Sequence, residues 1–367
     1  MKMRVMCVAA ALGLGTCIST AEADSNWLGI TAMGWQQSPG WFVAPGIEGG
    51  FQRLPRWTSP LSLHFPAAFG TPQIHVFSRT PAVAGADAGL TVGYVLSDGA
   101  LPPWLGSRVR IAVTGTWQAY RERAESSFSP PGLSVVQYIG VDGRVMGGET
   151  TFGATITEIL RTHREGFDFN LRAASDFPLR SDLILTPSIA VFGGRTSDSY
   201  EYSHLLGAPF NFRFFFDERV RTTSVGGDLA FGLTWQATSY LALNATARGG
   251  VVWMHSRLQG ADCFTNFGTP CVPAFPVGAS VSTGTVTDSA SRLGFRGGMS
   301  LGAALDMRFG ILSVGGSFTY DSAIPGILNP GVAKLTPFGN VGGARIRFGD
   351  NFRYGGFLNL RVPLLFL

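Results

Sequence analysis

The sequence predicts an all-β fold, a transmembrane antiparallel β-barrel of about 12 strands, with roughly 10–16 compatible with its segmentation. Three observations predict it. Arg292–Phe309 alternates without a slip: Leu293, Phe295, Met299, Leu301, Leu305 and Phe309 lie on one face, and Arg292, Arg296, Ser300, Asp306 and Arg308 on the other. Successive strand side chains point to opposite faces, and the run is longer than the ~9–11 residues a tilted strand needs to cross a bilayer. Second, the chain is 45% hydrophobic and only 14% charged, yet it lacks the run of ~18 apolar residues that a membrane helix requires. Third, its 49 glycines suit strands better than helices, where each costs about 1 kcal/mol.

Taken in order, residues 1–23 read as a secretory signal: Lys2 and Arg4, an apolar core from Val5 to Ile18, then the small-residue site Ala21-Glu22-Ala23. A competing reading makes Leu14-Gly15-Thr16-Cys17 a lipoprotein processing site, a pattern that Thr16 fits poorly. Cleavage after Ala23 removes Lys2, Arg4 and Glu22 from 28 basic and 24 acidic residues, which leaves a net charge of +3. So small an excess argues against nucleic acid as a partner.

Residues 24–87 form an irregular segment in which Trp27, Trp35, Trp41 and Trp57 fall among prolines and glycines. Trp41–Arg53 has strand character, so the segment holds a first strand, an aromatic girdle, a small plug or irregular packing. From 88 to 367 the barrel pattern is continuous. Strand runs cover 88–97, 108–120, 133–140 (of ambiguous phase), 151–161, 167–176, 183–191, 224–236, 241–256, 292–309 and 312–320. Pro187 lies inside one of them and predicts a bulge, because proline cannot donate to the ladder. A last hairpin, Phe338–Phe348 and Phe352–Leu367, turns at Gly349-Asp350-Asn351. This hairpin carries an inconsistency. Read back from a descending final strand, it puts the 259–288 connection on the periplasmic side, whereas periplasmic turns are the short ones. One strand after Ser289 is therefore misassigned by this pattern.

The alternating last strand ends Leu364-Leu365-Phe366-Leu367 and resembles that of the Gram-negative outer-membrane β-barrel proteins, of porin and autotransporter type. The resemblance implies the cell outer membrane as location and outer-membrane lipid as surroundings. It also implies the barrel-assembly machinery as a partner that reads the C-terminal strand, with Phe366 penultimate.

By phase, eleven arginines face the lumen: Arg108, Arg110, Arg172, Arg248, Arg292, Arg296, Arg308, Arg345, Arg347, Arg353 and Arg361. The inward acids that the pattern places are Asp168, Asp176, Asp228 and Asp306. Such an excess predicts a passive pore with weak anion preference for small solutes. The alternative is a narrow barrel filled by arginine–carboxylate pairs, with long loops that bind a partner. Gly298-Met299-Ser300-Leu301-Gly302 matches a nucleophile elbow, but that elbow needs a sharp strand-to-helix turn and here sits in unbroken alternation. His64, His75, His163, His204 and His255 have no metal-ligand spacing. No enzyme, metal or cofactor is expected. Cys263 and Cys271 share one predicted loop of an exported chain, where a disulfide is expected.

Overall fold

The computed structural model describes residues 40–59, 62–66, 73–75, 77–96, 102, 106–129, 133–143, 145–152, 154–206, 213–265, 284–307, 309–329 and 343–364. The signal segment, Cys271, Arg308 and Phe366 lie outside them. In chain order the first strands are β1 (Gly40–Arg53), β2 (Trp57–Thr58), β3 (Ser62–Pro66), β4 (Gln73–His75), β5 (Ser78–Arg79), β6 (Ala82–Leu96), β7 (Arg108–Phe128) and β8 (Leu133–Ile139). They continue as β9 (Val145–Phe152), β10 (Ile156–Arg180), β11 (Leu183–Leu206), β12 (Arg213–Gln236), β13 (Leu241–Thr265), β14 (Thr285–Met307), β15 (Gly310–Leu328) and β16 (Arg345–Pro363).

Ten of these close into one antiparallel barrel in the order β1-β16-β15-β14-β13-β12-β11-β10-β7-β6. The count falls at the lower end of the expected range, because one segment joins the barrel and three predicted strands are lost from it. The Trp41–Arg53 segment is a barrel strand, β1. The 133–140 segment is β8, which belongs to a separate sheet ordered β4-β3-β8-β9. The 151–161 and 167–176 runs belong largely to a single strand, β10. The last predicted hairpin is also one strand from Arg345 onward, β16.

Gly349 is not a turn. It pairs with Ile324 in the β15–β16 ladder, beside a register shift between Asp321 and Ile324. The extra residue of that shift lies in β15, opposite Asp350, and such a bulge re-aims side chains without reversing the chain. Removing that one reversal resolves the orientation. The tight turns at 181–182 and 237–240, and the step from β14 to β15, now share one end with the ends of β1 and β16 near Gly40 and Pro363. Apart from the 97–107 connection, which joins the turns at this end, the long connections, including the one after β13, share the other. Short turns mark the periplasmic end. At Pro187 no bulge forms, since its register with Phe231 is unbroken. The shift in β10 lies between Pro178 and Arg180 instead.

The outer wall divides in two. Toward the periplasmic end it carries an apolar belt: Val225, Leu229, Phe231, Leu233 and Trp235 on β12, Leu293 to Leu305 on β14, and Phe167, Phe169 and Leu171 on β10, all exposed. Leu301 is 67% exposed and Phe231 57%, exposures that only a lipid solvent makes favourable for a continuous ring of such side chains. Beyond the belt the outward residues turn charged, as in Arg161 and Glu201, or Arg219 and Arg221. β10 has 25 residues, about 85 Å of strand at ~3.4 Å per residue. The barrel therefore spans the membrane and projects well past it on the outer side. Closure leaves no edge strand of the sheet open to lipid.

The lumen as candidate functional site

Inward positions at belt level are polar because the belt uses the other half of each strand. They assemble into ion pairs. Arg110 Nη2 meets Asp176 Oδ1 at 2.5 Å, Arg172 Nη2 meets Asp228 Oδ1 at 2.9 Å, Arg296 Nε meets Asp321 Oδ1 at 2.7 Å, and Arg353 Nη1 meets Asp87 Oδ2 at 3.3 Å. Gln118 Nε2 donates to Asp168 Oδ2 at 2.8 Å, Thr186 to Asp176 at 2.8 Å, and the Ser317 hydroxyl to Glu48. Arg248 donates to Thr319 at 3.2 Å, and the Arg361 guanidinium lies 3.9 Å from the Phe42 ring centroid. Arg110 and Arg172 are 2% exposed. Between this layer and the outer half lies a cavity of ≈ 30 Å³ bordered by Gln52, Gln118, Arg164, Asp168, Arg296 and Arg353. That is room for a water or two and not for a permeating solute.

Above the belt the lumen holds an apolar core. Leu160, Tyr200, Tyr202, Phe214, Phe216, Val220 and Leu258 from the wall enclose Trp57 and Phe77, which enter from the segment between β1 and β6. Trp57 is fully buried, its ring 5.3 Å from Tyr202 and 6.3 Å from Phe77. Its Nε1 donates to Glu218 Oε2 at 2.9 Å. Asn329 Nδ2 binds the same carboxylate oxygen and the Thr58 carbonyl, each at 3.0 Å. Burial, opposed by those two bonds, pushes the Glu218 carboxyl up to about 7. Asp262, at the rim, accepts from the Val141 and Gly284 backbone amides at 2.5 and 2.6 Å. Burial raises it to about 6 against those bonds. Asp198 faces Arg164 at 3.6 Å, and its carboxyl is raised by burial despite that arginine. A third group joins Tyr202, whose hydroxyl donates to Glu158 at 2.5 Å, with His204 Nδ1 at 3.7 Å from the same oxygen.

The predicted arginines divide accordingly. Arg110, Arg172, Arg353 and Arg361 are buried inside, Arg248 and Arg296 partly so, and Arg108 stands at the periplasmic rim. Arg292 is exposed, with its guanidinium 5.9 Å from the Phe348 ring centroid. Arg345 and Arg347 face outward, a correction: Ala344 and Ile346 are the buried neighbours, because the bulge near Gly349 shifts the phase of the outer part of β16. Asp168 lies in the lumen beneath Gln118, and Asp306 lies at the periplasmic turn, where its amide bonds Tyr240. Ser300 is buried in mid-strand opposite Thr246, so no nucleophile elbow forms. Cys263 is buried at the end of β13, while the predicted pairing with Cys271 falls outside the described residues.

Sequence reasoning missed Asp87, Asp198 and Asp321, the partners of Arg353, Arg164 and Arg296, and the buried carboxyls of Glu48 and Glu218. It also missed Trp57 as a luminal residue. The only signal for Glu48 and Asp87 was their place opposite apolar residues in β1 and β6.

The sequence matches no protein-family model and no curated protein. Among solved structures it is similar to the outer membrane protease OmpT from Escherichia coli, at 10% identity over 89% of this chain and 99% of that one, with a TM-score of 0.37. It is similar to the transport unit of the autotransporter AIDA-I from Escherichia coli at 9% identity over 90% and 92%, TM-score 0.29. To the toluene transporter TodX of Pseudomonas putida the figures are 8% over 95% and 95%, TM-score 0.27. These are outer-membrane barrels, and at this identity no residue role passes from them to this chain.

Proposed function

We propose that this outer-membrane barrel is closed to solutes and acts at the cell surface through its projecting outer half. One observation carries the reading: the lumen is filled at two successive levels, by matched arginine–carboxylate pairs in the belt and by a Trp57-centred apolar core above it. Either level alone would block a hydrated ion. The balance of charge also removes the basis for anion preference, since each buried arginine with a short ion pair is met by its own aspartate. Liposome swelling tests it. Proteoliposomes of the refolded chain should swell in an arabinose gradient no faster than empty liposomes, and rapid swelling would remove the reading.

A gated form of the pore is the second reading. It is favoured by the position of Trp57 on a segment that belongs to no barrel strand and is held largely by side-chain contacts. In that form, withdrawal of the segment would open the outer half, while the ion-pair layer would still need to rearrange before a small solute could pass.

A further inference from the structure

Just beyond the apolar belt, the outward face of β11, β12 and β13 gathers arginines. Arg221 and Arg257 are direct cross-strand partners, with Ser197 and Ser289 the next residues along the same row. Arg195 pairs with Thr223, which sets it diagonal to Arg221. All three are exposed. Directly opposed residues have Cβ atoms about 5 Å apart and diagonal ones about 7–8 Å, and like charges so placed destabilise a sheet. Among the described residues none of the three forms an ion pair with a carboxylate. The nearest outward acid on β10, Glu165, is already engaged by His163 at 2.6 Å. The uncompensated cluster thus calls for an anion from outside the protein.

The position says which kind. Two outward positions toward the periplasm from this row, past Thr223, His255 and Ser291, lie Val225, Trp253 and Leu293, the top of the apolar belt. His255 stacks on Trp253 with ring planes 10° apart, accepts from Arg257 Nε at 3.3 Å and bonds Ser291 Oγ at 2.9 Å. That network holds the Arg257 guanidinium at the lipid boundary with its remaining N–H groups unclaimed. Guanidinium pairs bind phosphate bidentately, and acyl chains attached to that phosphate would lie down the exposed apolar wall. We infer that Arg195, Arg221 and Arg257 form a binding site for the headgroup phosphates of an anionic outer-leaflet lipid.

The refolded full chain in a zwitterionic detergent, titrated with bisphosphorylated lipid A and followed by native mass spectrometry, tests this. Lipid A should bind the unaltered chain, and R221A/R257A should weaken it about tenfold or more. R221K/R257K should restore part of the affinity, and R161A, whose arginine already faces Glu201 at 4.0 Å, should leave it unchanged. A lipid lacking phosphate should not compete. Should R221A/R257A fail to fold, judged by cold gel mobility, the single variant R195A takes its place. Equal binding by the double variant, equal binding of the phosphate-free lipid, or displacement by millimolar inorganic phosphate would each overturn the assignment, the last by showing a soluble-anion site.

Discussion

The indole Nε1 of Trp57 donates to Glu218 Oε2 at 2.9 Å, across 161 residues of sequence, and so ties the segment after the first barrel strand to the inner face of β12. Trp57 is fully buried, so truncation leaves a cavity that a rigid barrel wall cannot collapse around. Trp57→Ala should lower stability by on the order of 3–5 kcal/mol. Trp57→Phe keeps most of the packing and loses the donor, which should cost about 1–3 kcal/mol, because a buried carboxylate loses a partner. Urea unfolding midpoints followed by far-ultraviolet circular dichroism read both values. Equal midpoints for all three proteins would place Trp57 outside the core.

The same carboxylate makes stability depend on pH. Burial raises Glu218 from 4.5 to about 7, so the folded state holds its proton more tightly than the unfolded chain does. Its stabilising contribution is complete below about 4.5 and is lost as pH rises through about 7. The outer core should therefore be more stable at pH 5 than at pH 8, by on the order of 3 kcal/mol at most. Asp262, raised to about 6, adds to the same direction over a lower window. Glu218→Gln still accepts from Trp57 and Asn329 and should remove the Glu218 part. Thermal midpoints of the two proteins across pH 4.5–8.5 measure it, and a wild-type chain that gains stability toward pH 8 contradicts it.

Within the belt, Arg172 and Asp228 are buried together at 2.9 Å. Removing one partner strands a charge. Arg172→Met or Asp228→Leu alone should cost about 3–5 kcal/mol, and the double substitution far less than the sum. A double-mutant cycle on unfolding free energies decides this. Additive losses would mean that the two charges act independently.

How much of this was legible before folding depended on whether lipid read one face of each strand. β14 was readable because Leu293 to Leu305 keep an apolar face toward lipid without a break. β10 looked like two strands because its outward face turns from Phe167 to Glu165, His163 and Arg161 where it leaves the membrane, and the apolar alternation stops there while the strand does not. Gly349-Asp350 has turn composition but stays in the ladder, opposite a register shift whose extra residue lies in β15 between Asp321 and Ile324. The outer part of β12 was missing from the alternating runs because Phe214 and Phe216 face an apolar core inside the barrel, where a polar lumen was expected. The arginines were visible and their partners were not. Asp87 pairs with Arg353 across 266 residues, a relation that only closure of the barrel creates.

Closure itself depends on glycine at one seam. A Cβ placed on Gly355 would lie 2.2 Å from the Gly49 carbonyl oxygen, and one on Gly50 would lie 2.0 Å from that of Tyr354, both where β1 meets β16. Gly355→Val should slow or prevent closure, leaving a large fraction in the unfolded band on a cold detergent gel. Gly356→Ala, whose Cβ would meet only the Gly315 oxygen at an ordinary 3.5 Å, should fold as the unaltered chain does. A normal folded band for Gly355→Val would show that the seam relaxes freely.

The central claim is that the lumen is shut by the ion-pair layer and the Trp57 core together. Single-channel recording of the refolded chain in planar bilayers, under a salt gradient, addresses it most directly. The account predicts insertion without discrete conductance steps, even for Trp57→Ala, because the layer from Arg110 to Arg353 remains in place. Regular steps from the unaltered protein, with a reversal potential displaced toward anions, would contradict it.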